Sequence, residues 1–211
     1  MTKVLILGAN GAVSKAAINS FLENTSYTLR LFLRDANRLP DYASDRIRVR
    51  EGDATNFEDV NRAMEDVDIV LASLSGELDK EAQTIVDAMN ANNVKRLIFV
   101  TSIGIYNEVP GNFGLWVQDQ ISDYLVIYRK AADIIEQSDL DYTIFRPAWL
   151  THTNEIDYEI TKKDEPFKGT EVSRKSVAAI AVQIAKDPAL YSRDNIGINK
   201  PNTDFDKPRW K

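Results

Sequence analysis

The chain has 211 residues, 44% of them hydrophobic, a formal net charge of −6, one histidine and no cysteine. This size suits a single compact domain with a developed core. The missing cysteines exclude disulfides, thiolate nucleophiles and Cys-ligated metals, and the lone His152 excludes a His-rich metal site.

The negative balance argues against a nucleic-acid surface, which needs a concentrated basic field. No apolar run reaches the roughly 18 residues of a bilayer span. Met1-Thr2-Lys3 leads straight into a strand-like segment instead of a secretory leader, so a cytoplasmic location without membrane association is expected.

The first element is Lys3 to Gly8, a short apolar run closed by glycine, which is the pattern of a strand buried on both faces. Similar runs follow at Thr28 to Leu33, Ile47 to Arg50, Asp68 to Ala72, Arg96 to Thr101 and Tyr142 to Phe145. Thr55-Asn56-Phe57-Glu58 has capping-box spacing and predicts a helix start. Glu77 to Asn92 gathers Ala82, Ile85, Val86 and Met89 on one helical face, with acids in its first turn.

Asn107 to Gly114 is expected to be irregular. Asp119 to Gln137 then puts Ile121, Tyr124, Leu125, Tyr128, Ala131, Ala132 and Ile135 on one face, and Ser173 to Lys186 does the same with Val177, Ile180, Ala181 and Ile184. The Pro-containing C-terminal tail is expected to be irregular. Strand-length runs alternating with helix-length segments predict one α/β domain over residues 1–211. Its expected form is a Rossmann-like, doubly wound, mainly parallel sheet in three α/β/α layers, with substrate-side loops at 104–118 and 150–172.

Gly8-Ala9-Asn10-Gly11-Ala12-Val13-Ser14 joins a buried strand to a helix. Free backbone N–H groups beside the positive helix end suit a pyrophosphate, and glycines allow close approach. The spacing is G-x-x-G-x-x-S rather than G-x-G-x-x-G, so position after the first strand carries much of this reading. Gly8, Asn10, Gly11, Ala12 and Val13 are the expected phosphate-side residues.

At the end of the second strand an NAD site would place an acid on the ribose hydroxyls; here Arg34 stands, with Arg38 a turn later. A guanidinium matches a 2′-phosphate in charge and in its fork of donors, so the expected cofactor is NADP(H). The alternative is a solvated arginine paired with Asp35.

Several blocks in order resemble the atypical short-chain dehydrogenase/reductase superfamily, in particular its small NmrA-like, NAD(P)H-binding members. They are Gly8-Ala9-Asn10-Gly11-Ala12, Leu33-Arg34-Asp35, Gly52-Asp53-Ala54, Phe99-Val100-Thr101-Ser102-Ile103-Gly104, Ser138 through Pro147, and Val172-Ser173-Arg174. The resemblance implies that Asp53 and Ala54 meet the adenine edge. It places Ser73, Leu74 and Ser75 beside the nicotinamide ribose, with Thr101 at the end of the fifth strand and Pro147 leading into the nicotinamide pocket. Asp53 has a second reading as a helix-entry cap.

The same resemblance implies a Ser after the fifth strand and a Tyr-x-x-x-Lys pair on the next helix, with Tyr as proton donor. Ser102 fills the first place and Tyr124 the second, but Tyr128 stands where Lys belongs. Lys130 cannot substitute, because two residues along a helix is a rotation of about 200°; it is expected to face solvent. Tyr124 and Tyr128 are therefore either parts of a modified catalytic set or plain core aromatics.

His152 is either a proton donor near the substrate or a solvated loop residue. Tyr106, Phe113 and Trp116 around Val109-Pro110-Gly111 form an apolar flap with Gly hinges, a dimer contact or a locally packed loop. Trp210 is expected to pack on the domain or on a partner chain.

The expected activity is reduction of a small carbonyl, quinone or conjugated acceptor by NADPH, in a monomer or homodimer. The alternative is a noncatalytic NADP(H)-binding sensor or regulator of the NmrA-like type. A sugar-nucleotide epimerase or dehydratase fits less well, since only about 60 residues follow the sixth strand.

Overall fold

The computed structural model describes residues 1–211. The apolar runs become β1 (Lys3–Leu7), β2 (Thr28–Leu33), β3 (Ile47–Glu51), β4 (Ile69–Ala72), β5 (Arg96–Val100) and β6 (Asp141–Pro147). Between them lie α1 (Ala12–Asn24), α2 (Phe57–Ala63), α3 (Leu78–Ala91) and α4 (Gly111–Glu136). Short strands β7 (Trp149–Thr151), β8 (Glu159–Thr161) and β9 (Glu171–Ser173) precede α5 (Arg174–Lys186) and β10 (Asp194–Asn199).

The main sheet runs β3-β2-β1-β4-β5-β6-β10-β8, parallel throughout except for the β10–β8 pair, while β7 and β9 form a separate parallel ribbon. From β1 the chain fills one side of the sheet through β2 and β3, then crosses back to β4. The carboxyl ends of β1 and β4 therefore border the crevice where ligands of such sheets bind.

Strand residues alternate between two cores. Val4, Ile6, Leu29, Leu31, Ile98 and Val100 join a cluster with α1 and α5, while Leu5, Leu7, Val70, Leu97 and Phe99 join one with α2, α3 and α4. The clusters contain 29 and 27 buried residues, so both faces are covered almost equally and the expected three layers are present. Ser173 caps α5 by accepting the Ser176 N–H, at the helix start read from the sequence.

Several local expectations are corrected. Asn56, not Thr55, caps α2 by accepting the Asp59 N–H, so the Thr55–Glu58 capping box does not form. β3 lies at the sheet edge and is largely exposed, which a short apolar run could not distinguish from a central strand. The helix expected from Asp119 begins at Gly111, so residues 111–114 are not irregular, and much of the 104–118 loop is helix. Within 150–172, short strands replace continuous loop.

α4 carries non-helical dihedrals at Ile121 (φ −138°, ψ 18°). Before that kink, Phe113 and Val117 pack in the α1/α5 core; after it, Leu125, Ala131, Ala132 and Ile135 pack in the opposite one. Ile121 itself touches both. The kink therefore marks where the helix changes faces of the sheet. One uninterrupted amphipathic stripe could not serve both cores, because a straight helix aims its apolar stripe in one direction.

Candidate functional site

The turn after β1 is built for close approach. Gly8 has φ +79°, and a Cβ there would collide with the Ser73 carbonyl oxygen. Gly11 precedes α1 without a side-chain cap, and the Ala12, Val13 and Ser14 N–H groups have no backbone acceptor. The buried Asn10 Oδ1 and Ser14 Oγ also lack partners. Unused donors at a helix N-terminus, with no Cβ in the way, fit a pyrophosphate.

A cleft of about 530 Å³ opens from this turn. It is lined by Gly8, Asn10 and Gly11 from the first turn, Arg34 and Arg38 after β2, Asp53 and Ala54 after β3, and Ser73, Leu74 and Ser75 after β4. Gly8, Asn10, Gly11, Arg34, Asp53 and Ala54, read as the phosphate and adenosine side, thus converge with Ser73, Leu74 and Ser75, read as the nicotinamide ribose side, whereas the side chains of Ala12 and Val13 do not line the cleft and Val13 packs in the α1/α5 core. Arg34 is exposed and has no carboxylate within ion-pair distance. The proposed Asp35 partner instead accepts hydrogen bonds from the Asn37 N–H and side chain, both at 3.1 Å. Asp53 accepts the Thr55 N–H and hydroxyl at 2.9 and 2.8 Å; these bonds, chiefly the backbone one, hold its carboxyl below the usual range. It is a turn-forming acid as well as a wall of the cleft, and the α2 cap is left to Asn56.

Glu81, absent from the sequence reading of the site, also lines this cleft. It is 8% exposed and its Oε2 has no hydrogen-bond partner. Burial, and then the charge of Asp53, pushes its carboxyl up to about 7, with Glu77 and Asp79 adding to the rise and Arg34 opposing it. Helical periodicity placed Ala82, Ile85 and Met89 inside but could not show that the acid just before them would be buried as well.

A second cavity, of about 350 Å³, lies beyond β5 and β6. Thr101, Ser102, Tyr124, Tyr128 and Pro147 share its wall with Ile103, Ile121, Ala148, Trp149, Leu150 and Arg174. The expected catalytic residues therefore meet one space, although they come from the β5 end and from α4 after its kink. Tyr124 is 56% exposed, which corrects its placement on the core-facing stripe of the helix. Tyr128 is more covered, and burial, followed by the charge of Glu81, pushes its phenol upward, so it is neutral near pH 7. Lys130 is exposed, and Arg174 is the cation that reaches the wall.

Beneath this cavity is a buried ionic network. Arg146 of β6 is fully buried and gives Nη1 to Glu108 Oε1 at 2.6 Å and Nε to Asn195 Oδ1 at 2.7 Å. Glu108 also accepts the Gly104 and Tyr106 N–H groups at 3.1 and 3.0 Å. The loop carrying Ser102 is thereby tied to the strand carrying Pro147. Tyr106 belongs to this network, with its hydroxyl donating to Glu136 at 2.9 Å, and is no part of an apolar flap. Phe113 stacks on Trp116 at 6.0 Å between ring centroids, and Trp116 meets Trp149 edge-on at 4.6 Å, so these rings brace the cavity wall. An arginine in an apolar strand signals a buried acid partner, but the sequence does not show which acid, because Glu108 is 38 residues away.

His152 is exposed and faces a different depression, with Arg209 and Trp210, rather than the Ser102 cavity. No helix is long and apolar enough to cross a membrane.

A model of the NAD(P)H-binding family matches residues 8–188. The chain belongs to that family. A Rossmann-fold NAD(P)-binding family protein from Shigella flexneri is 42% identical, with a TM-score of 0.85 over 99% of this chain and 98% of the other. A short-chain dehydrogenase/reductase from Veillonella parvula, solved in complex with NADP, is 28% identical, with a TM-score of 0.94 over 99% of each chain. Among curated relatives, the uncharacterized sugar epimerase YhfK of Bacillus subtilis is 26% identical over 83% of this chain and 79% of its own.

Proposed function

We propose that this family member is an NADPH-dependent reductase of a small carbonyl, quinone or conjugated acceptor. The observation that carries the reading is the shared wall of the second cavity, where Ser102 and Tyr124 stand beside Thr101 and Pro147. NADP in the similar Veillonella structure and the unpaired Arg34 in the first cleft support the choice of cofactor. Bound NADPH would supply the hydride, with its phosphates on the turn of Gly8, Asn10, Gly11, Ala12 and Val13.

In this reading Arg34 takes the 2′-phosphate, Asp53 and Ala54 border the adenine, and Ser73, Leu74 and Ser75 border the nicotinamide ribose. Ser102 donates a hydrogen bond to the acceptor oxygen and Tyr124, open to solvent, delivers the proton. Tyr128 donates from a neutral phenol and supplies no positive charge. Trp149 and Ile121 exclude water from the acceptor's apolar side.

The test is NADPH oxidation over a panel of such acceptors, with Tyr124→Phe and Ser102→Ala alongside. Each variant should lower kcat by about 100-fold or more while NADPH affinity stays within about twofold. Tight NADPH binding with no turnover of any acceptor would instead favour a noncatalytic NADP(H) sensor, the reading supported by Tyr128 in place of the ammonium. An epimerase reading has only likeness to proteins so described, such as YhfK, behind it.

A further inference from the structure

Arg174 is the first residue of α5, immediately after the Ser173 cap, and it lines the second cavity. Its Nη1 donates to the Leu150 carbonyl at 3.0 Å, while its Nε is buried with no partner. No carboxylate lies within ion-pair distance, and burial alone pushes the guanidinium downward, with no acid nearby to offset it. The molecule's two most buried arginines each have an acid, although Arg96 Nε is likewise unpartnered: Arg96 faces Asp141 at 3.6 Å, and Arg146 faces Glu108 at 2.6 Å.

The rest of the cavity wall is apolar or hydroxylic, from Ile103, Ile121, Trp149, Ser102 and Tyr124 among others, and contains no acid. A half-buried guanidinium with one protein acceptor for five donors lacks an anion, because removing an unpaired charge from water is costly. A carboxylate supplies both the charge and the matching pair of acceptors. Apolar walls on the other sides of the cavity suit a planar or aromatic body.

We propose that the second cavity binds an acceptor that carries a carboxylate, seated on Arg174, with its apolar body against Trp149 and Ile121. This rests on reading the cavity as the acceptor site of the reductase, and it narrows the substrate to an organic anion.

The probes are 1-naphthoate and its uncharged counterpart 1-naphthamide, titrated into the NADP-loaded full chain and followed by ligand-observed NMR. The carboxylate should bind at least about tenfold more tightly than the amide. Arg174→Met, which keeps an apolar stem, should erase that preference, and Arg174→Lys should retain part of it. Equal binding of the two probes to the unaltered chain, or no saturable carboxylate binding, overturns the proposal even if the variants fail to fold. So does a loss of NADPH affinity in Arg174→Met with the probe preference intact, since the guanidinium would then serve the cofactor phosphates.

The binding readout needs no turnover, so an inactive protein that still prefers the carboxylate would refute the reductase reading alone. Conversely, an active protein whose kcat/KM for neutral acceptors matches that for anionic ones, with no probe preference, would refute the anion site alone.

Discussion

Replacing Glu81 by glutamine should stabilise the cofactor-free protein at alkaline pH and leave its acid stability nearly unchanged. The folded carboxyl titrates at about 7 against an ordinary value of 4.5. Below about 4.5 both the folded and the unfolded chain hold the proton, and Glu81 contributes no penalty. As pH rises through that window the unfolded chain releases its proton while the folded chain keeps it, so stability falls. Above about 7 the loss is complete.

At about 1.4 kcal/mol per pH unit the full penalty is about 3–4 kcal/mol. The groups that set it are Asp53 from the turn after β3, Glu77 and Asp79 at the start of α3, and Arg34, which acts in the opposite sense. Glutamine is neutral at every pH and has nearly the same shape. Urea unfolding of both proteins at several values between pH 5 and 8 should show the variant's advantage growing by about 2–3 kcal/mol. At pH 8 the corresponding gain in Tm is on the order of 5–10 °C for a domain of this size. A difference between the two proteins that stays constant within about 0.5 kcal/mol over that range would refute the reasoning, because burial of Glu81 would then not be coupled to its proton.

Arg34→Ala should raise the Kd for NADPH on the order of 10–100-fold and leave that for NADH within about twofold, measured by fluorescence titration; equal losses for both cofactors would remove the 2′-phosphate assignment. Gly8→Ala must place a methyl against the Ser73 carbonyl at φ +79°. It should cost about 1–3 kcal/mol in urea unfolding and weaken NADPH binding, whereas unchanged binding would separate this turn from the phosphates. Glu108→Ala leaves the fully buried Arg146 without its acid and should cost about 3–5 kcal/mol in the same assay. A loss under about 1 kcal/mol would mean that Asn195 alone satisfies the guanidinium.

The layered α/β fold was legible because each parallel strand is buried on both faces and so appears as a short apolar run, independent of its neighbours. The turn after β1 was legible for a similarly local reason: Gly8 and Gly11 sit between a strand and the helix they open. Ser102, Tyr124 and Tyr128 could be placed only through the family's order of motifs, since nothing local joins a residue after β5 to residues more than three helical turns into α4.

β10 was missed because its Gly197 and flanking asparagines interrupt the apolar pattern, although the strand is almost wholly buried beside β6. The change of faces at Ile121, the pairing of Arg146 with Glu108, the covering of Glu81 and the absence of an acid beside Arg174 depend on contacts between distant segments. By itself the sequence determined the first six strands, the layers and the glycine turn after β1, because those follow from apolar periodicity and glycine geometry. Only the tertiary structure decided which charges are paired, which are buried alone and which face the second cavity, because desolvation and ion pairing depend on what lies within a few ångströms in space.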